Sequence, residues 1–256
     1  MKRHIEAPVT PGPETSRETR QAPGAEDIVI TRGPRARQTP DVSPLYRLAQ
    51  KDRDWLLSQQ HVRRILIDGE NLNTIQNASG MVYLIETGWL AECEFLRNGR
   101  RQILDFYLPG DLIVSSDKFS DLRGRCIESI GPASVLVFDV SAAQPDPRLE
   151  NIEKQVLTLR AEAFGNLLVN VGRRSAMSRL AHFLLRTDAK LRVRPDGDES
   201  ITVPSFVTQS DIADHLGIST VHTNKTLAKL RQAGFVSQPG QAIALLSRER
   251  LEQLRE

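Results

Sequence analysis

The sequence is poor in the residues that build several common kinds of site. Its 256 residues hold two cysteines, Cys93 and Cys126. Two thiols at this separation make no disulfide framework and no CxxC metal pair, and an iron–sulfur cluster asks for about four cysteine ligands. They read either as buried structural thiols or as redox-active groups. The five histidines, His4, His61, His182, His215 and His222, show no metal-ligand spacing. Long apolar runs are missing too: Ala242–Leu246 is among the longest, far short of a bilayer span. Lys2 and Arg3 are not followed by an apolar stretch, so a secretory signal is not expected and a cytoplasmic location is. No Ser/His/Asp set, carboxylate pair or phosphate loop stands in a recognisable context, so neither enzyme activity nor a cofactor or metal is expected. Net charge is small as well, +2. Any surface for nucleic acid must therefore be local.

What is present is 39% hydrophobic and 26% charged, the balance of a soluble globular protein. The length suffices for two small domains with cores of their own. Composition and period divide the chain into four parts. Residues 1–44 hold seven of the fourteen prolines and few large apolar residues, which predicts a flexible tail. Residues 45–145 open with a helix-like stretch, Leu45–His61. Short β-rich runs follow: Val82–Ile85, Trp89–Ala91, Ile103–Phe106 and Ser134–Phe138. Turn signals at Asp68-Gly69, Asn98-Gly99, Pro109-Gly110 and Gly131-Pro132 separate them. That pattern predicts a small β-barrel or sandwich.

Residues 146–172 change period. Leu149, Ile152, Val156, Leu159, Ala163, Asn166 and Asn170 keep an a/d heptad register, and a second stripe of Leu157, Phe164, Leu168 and Val171 lies elsewhere on the helix. One stripe can pack on the chain's own barrel and the other on a partner. The a/d seam is assigned here to a homodimer, with polar Asn fixing register; a single helix on a monomer's core is the other reading. Residues 173–256 begin with an amphipathic helix, Arg174–Leu191, and a loop, Arg194–Asp198.

The most informative stretch is Val207–Leu230. Thr208 with Asp211 three residues on is a capping box. The helix it starts buries Ile212, Ala213 and Leu216. Gly217 suits a turn that needs positive φ, and Ser219 caps a second helix. Helix, glycine turn, helix is the helix-turn-helix. No acidic residue occurs from His215 to Arg248, whereas Lys225, Lys229, Arg231 and Arg248 are all positive, the local sign a phosphate surface requires. Gly234–Leu245 then reads as strand, turn and strand, a wing. A helical hairpin for protein contact shares the turn but not the whole set of features.

In this order the elements resemble the cyclic-AMP receptor protein/FNR (Crp/Fnr) superfamily, over roughly residues 60–250. Glu86–Leu90, Asn98–Leu104 and Leu108–Ile113 follow that family's strand–turn pattern. The resemblance implies an α+β fold: a cyclic-nucleotide-binding-like double-stranded β-helix, a long dimerisation helix and a C-terminal winged helix-turn-helix over residues 173–256. It implies that the recognition helix begins at Thr220, with Thr220, Val221, Asn224 and Lys225 at base-reading positions and His222 and Lys229 beside them. Lys225 stands where the family commonly has arginine; lysine donates to guanine without the bidentate fork. Val221 stands where glutamate is frequent; it either meets a thymine methyl or packs inward. Thr208, Gln209, Ser210 and Ser219 are better placed for phosphate.

The family's nucleotide pocket pairs Gly-Glu with a later Arg-Ser. Here Val114 and Ser115 replace the first pair and Arg125-Cys126 the second. Cyclic-AMP binding is therefore not expected, and Ser115, Ser116, Arg125 and Cys126 remain as a candidate effector pocket for another small molecule. The expectation is a homodimeric DNA-binding transcription regulator on a pseudo-palindromic operator, with double-stranded DNA and a second copy of the chain as partners, and RNA polymerase if it activates. The alternative is an effector-binding or protein-interaction module whose helix-turn-helix is vestigial.

Overall fold

In the computed structural model, the described residues are 48–72, 80–114, 125–140, 146–192 and 202–255. The expected tail at 1–44 and the loop at 194–198 lie outside them, as do Ser115 and Ser116. A short helix α1 (Gln50–Ser58) precedes strands β1 (His61–Leu66), β2 (Met81–Phe95), β3 (Arg101–Tyr107), β4 (Leu112–Val114) and β5 (Arg125–Asp139). All pairs are antiparallel, in the order β1-β5-β2-β3, with β4 on the other part of the same β2 edge. Helices α2 (Pro147–Arg173), α3 (Ala176–Arg192), α4 (Gln209–Leu216) and α5 (Thr220–Gln232) follow, then β6 (Val236–Ser237), β7 (Ala244–Leu245) and α6 (Arg248–Glu252). Among the described residues no helix is long and apolar enough to cross a membrane.

Two of the expected strands, Val82–Ile85 and Trp89–Ala91, are one strand of 15 residues, β2. It pairs along nearly its full length with the equally long β5. Gly131-Pro132, expected to separate strands, instead lies within β5. Two glycines explain how one long ribbon bends here: Gly88 and Gly131 both sit at positive φ, 74° and 72°, and the β2–β5 register shifts between Ile85 and Trp89. A Cβ on Gly88 would lie 2.3 Å from the Pro132 carbonyl oxygen.

The alternation along β2 sorts side chains to two covered faces. Tyr83, Ile85 and Leu90 join Leu66, Leu72, Tyr107, Ile113, Ile127 and Val135 inside the barrel. Val82 and Leu84 point outward and pack with Leu56 of α1, Phe138 of β5 and Ile152 and Val156 of α2. Trp89, Ala91 and Cys93, further along the same outer face, share a third core with Leu180, Leu184, Ile212 and Leu216 of the C-terminal helices. The barrel and the helix-turn-helix are thus joined by continuous apolar packing.

Helix α2 starts where Asp146 accepts a hydrogen bond from the Arg148 N–H, with Pro147 in the first turn. Its placement corrects the expected dimer seam. Ile152, Val156, Ala163 and Asn170 are buried against their own chain, Leu149 packs on the Ile152–Val156 cluster, and half-buried Leu159 and Asn166 line a cavity against the barrel. The barrel's outer face is always at hand for the more apolar stripe, so it covers that stripe within one chain. Of the second stripe, Leu157 and Leu168 are exposed, Leu168 by 71%, and Phe164 and Val171 are half-buried; Val169 beside them is exposed too.

Candidate nucleic-acid interface

Helix α4 begins with the capping box that the sequence predicts: the Asp211 N–H donates to Thr208 Oγ1 at 3.1 Å, and the Thr208 N–H donates to Asp211 Oδ2 at 2.8 Å. The Thr208 hydroxyl also donates to Asp211 Oδ2 at 2.6 Å. Both ends of Thr208 are thus engaged within the cap, which leaves exposed Ser210 and half-buried Gln209 as the freer polar groups of that turn. Gly217 ends α4 at φ 65°, the left-handed conformation a glycine adopts without penalty. Ser219 accepts from the His222 N–H at 3.2 Å and opens α5.

Helix α5 has two chemically different faces. Inward are Leu227 and Leu230, with Thr223 and Thr226, whose hydroxyls return to the carbonyls of Ser219 and His222. Outward are Thr220, Val221, His222, Asn224, Lys225 and Lys229, all exposed. Val221 does not pack inward: its side chain is 64% exposed. Among the described residues neither Lys225 nor Lys229 joins an ion pair.

The wing is a two-residue ladder, Val236↔Leu245 and Ser237↔Ala244, with Gly240 in the turn between. The sequence did not reveal its third line, an antiparallel bridge from Val203 to Ile243. Arg231 reaches across from α5 to Gln238 at 2.8 Å and ties the wing to the helix. Arg248 leaves the outward cationic set, because it turns back to Asp188 at 2.8 Å.

Behind this face lies a seam of buried charge. Arg101, on β3, donates to Asp211 and, at 3.0 Å, to Asp214 of α4, and at 2.6 Å to Glu128 of β5. Burial works against the Arg101 charge; the hydrogen bonds to Asp211, Glu128 and Asp214 outweigh it and raise its pKa above the ordinary value. Gln102 donates to the carbonyl of Asp214 at 2.6 Å. Arg186 of α3 grips Asp105 through two bonds of 2.7 and 3.0 Å, and Lys190 meets Asp111 at 2.7 Å. Burial opposes the Asp105 charge too, yet Arg186 and Lys190 hold its pKa down at about 2. His215 is packed between Phe106 and Phe183, and burial pushes its pKa down to about 4. None of these long-range pairings is expected from the sequence, although Asp211 is named there for its part in the capping box.

Of the candidate effector residues, Ser115 and Ser116 lie outside the described residues. The Arg125 side chain lies outside the described residues, and Cys126 belongs to the seam core beside Cys93. A cavity of ≈ 50 Å³ lies between the barrel and helices α2 and α3, lined by Tyr107, Asp111, Val114, Arg160 and Asn166 among others. Arg160 closes on Glu92, which also accepts from the Tyr107 hydroxyl at 2.9 Å.

Comparison with known proteins agrees with this architecture. Residues 178–254 match the model of the Crp-like helix-turn-helix domain. The nitrogen fixation regulation protein FixK of Azorhizobium caulinodans is 30% identical over 181 residues, covering 64% of this chain and 67% of that protein. The FixK of Bradyrhizobium diazoefficiens is 26% identical over 190 residues, covering 73% and 78%. The chain belongs to the Crp/Fnr family. It is a DNA-binding transcription regulator with the α+β fold of that family. The solved structure of FixK2 from Bradyrhizobium japonicum superposes with a TM-score of 0.61 at 23% identity, covering 77% of this chain and 98% of that one. As in that family's arrangement, the helix-turn-helix of this Crp/Fnr protein follows a barrel and a long helix.

Proposed function

We propose that the chain acts as a homodimer whose two α5 helices enter successive major grooves of a pseudo-palindromic operator, with centres about 34 Å apart. Thr220, Val221, Asn224 and Lys225 read base edges, while Ser210, Ser219 and Lys229 meet phosphates. The observation that carries this reading is the outward face of α5, polar, cationic and unpaired, on a helix whose other face is fully packed. The partner copy meets α2 along its second stripe, Leu157, Phe164, Leu168 and Val171, since the first is covered by the barrel. Cyclic AMP is not the signal: by sequence, Val114 stands in place of the close-approach glycine and Ser115 in place of the ribose-accepting glutamate of the family pocket. The protein remains outside the cell membrane, in the cytoplasm, and if it activates it does so through RNA polymerase. A gel shift on fragments of the host genome at stated salt tests the reading. Retention of a few fragments against excess competitor supports it, and uniform binding of all fragments contradicts it.

A further inference from the structure

Cys93 and Cys126 lie directly opposite each other on β2 and β5. Antiparallel partners have Cα atoms about 4.5–5.5 Å apart, inside the range a disulfide spans. The two Sγ atoms and a Glu128 carboxylate oxygen lie within 4.8 Å of one another. Cys93 Sγ donates to Glu128 Oε1 at 3.5 Å, and that same oxygen accepts from Arg101 Nη1 at 2.6 Å. Arg101 in turn holds Asp211 and Asp214 of the first helix of the helix-turn-helix. The pair is on the barrel face that shares its core with Ile212 and Leu216. One guanidinium thus separates two thiols from the DNA-reading unit.

We propose that Cys93 and Cys126 form a reversible intrachain thiol–disulfide site, oxidised by a hydroperoxide, whose state is transmitted through Glu128 and Arg101 to the seating of α4. The DNA consequence rests on the function proposed above. Cys126 is the sulfur that reacts first: it is 9% exposed where Cys93 is fully covered. The close approach of the two thiols also lowers the pKa of Cys126 and raises that of Cys93. The Cys126 thiolate attacks one oxygen of hydrogen peroxide; an S–O bond forms, the O–O bond breaks, and the released hydroxide takes a proton to become water. Cys93 then attacks the Cys126 sulfenic sulfur. Its proton passes by way of Glu128 to the departing hydroxide, which leaves as a second water. In sum two thiols and one peroxide give one disulfide and two waters. Glu128 loses the Cys93 donor, and the sulfurs close to the length of a covalent bond. The carboxylate that anchors Arg101 is thereby freed to shift, and α4 loosens on the barrel. A metal site fits the same atoms less well, because the Arg101 cation already occupies the Glu128 oxygen that would bind it.

The test uses the full-length protein with hydrogen peroxide and then dithiothreitol. Titratable thiols fall from two to none, peptide mapping joins Cys93 to Cys126 within one chain, and amide exchange in Gln209–Leu216 speeds up. Operator affinity falls about 10-fold, within the ordinary range of coupling between sites, and dithiothreitol restores it. Cys93→Ser and Cys126→Ser keep their affinity through the same treatment. Persisting thiols, an interchain bond, stoichiometric zinc in the purified protein, a disulfide that leaves both exchange and affinity unchanged, or an equal loss in Cys93→Ser would overturn the proposal. Failure of the reduced protein to bind any operator overturns the DNA reading alone, and thiol count and exchange still decide the site.

Discussion

The outward face of α5 and the seam between β3 and helices α3 and α4 use similar residues in opposite ways. On α5, Asn224, Lys225 and Lys229 stand in solvent, with no side-chain partner among the described residues. At the seam, Arg101, Asp105, Arg186, Lys190 and Asp111 are withdrawn from solvent and paired. Exposed ionic groups add little to stability, so α5 is free to vary with its operator. Buried ones stabilise the fold only while both partners are present, so the seam binds the barrel to the helix-turn-helix. The two regions thereby use separate residues, and the face of α5 can be altered without disturbing the seam.

The largest effect should come from breaking the seam. Asp105→Ala leaves Arg186 buried without its carboxylate. Loss of one partner from a buried pair costs about 3–5 kcal/mol, and urea denaturation should show a fall of that order while α5 keeps its DNA chemistry. Acid should act on the same region. Above pH of about 6.5, His215 and His182 are neutral in folded and unfolded chains alike. As pH falls, the unfolded chain takes up protons at both positions, whereas the folded one resists: burial leads in each case, holding His215 to about 4 and His182 to about 3. Stability therefore declines between pH of about 6.5 and 4, by on the order of 3 kcal/mol for His215. Around His215 stand Asp105, which favours its proton, and Arg186 and Lys190, which oppose it. Around His182 stand Arg255, Arg174 and Arg186, all opposing. Denaturation midpoints at several pH values check this, and His215→Asn should flatten the profile.

Substitutions on α5 should leave stability alone. Lys225→Ala is expected to weaken operator binding about 10- to 100-fold with a urea midpoint unchanged. Lys229→Ala, at a phosphate position, should weaken all sequences alike and reduce the slope of log affinity against log salt by about 1. A change in sequence preference from Lys229→Ala, or in stability from Lys225→Ala, would blur the division between the two regions.

That same division explains what the sequence made legible. The capping box Thr208–Asp211, Gly217, Ser219 and the cationic run of α5 are local: each rests on residues within one or two helical turns, so spacing alone reveals it. The seam joins residues far apart in the chain. Arg101 meets Asp211 across 110 positions and Arg186 meets Asp105 across 81, and no periodicity announces such pairs. The covering of the expected seam by its own barrel was hidden for a related reason. Both stripes of α2 keep a heptad-like spacing, and only the nearby barrel decides which is covered. The bend in the β2–β5 ribbon escaped because Gly131-Pro132 has the same composition as a turn between strands.

The most direct test of the central claim exchanges one exposed residue of α5. Operators would be selected from randomised DNA by the native protein and by Val221→Glu, at one stated salt concentration. The account predicts a pseudo-palindrome for both, with thymine favoured opposite Val221 and a shift to cytosine at that single position of each half-site for the variant, because a carboxylate accepts from the cytosine amino group. Identical selected operators for the two proteins would contradict the placement of α5 in the major groove.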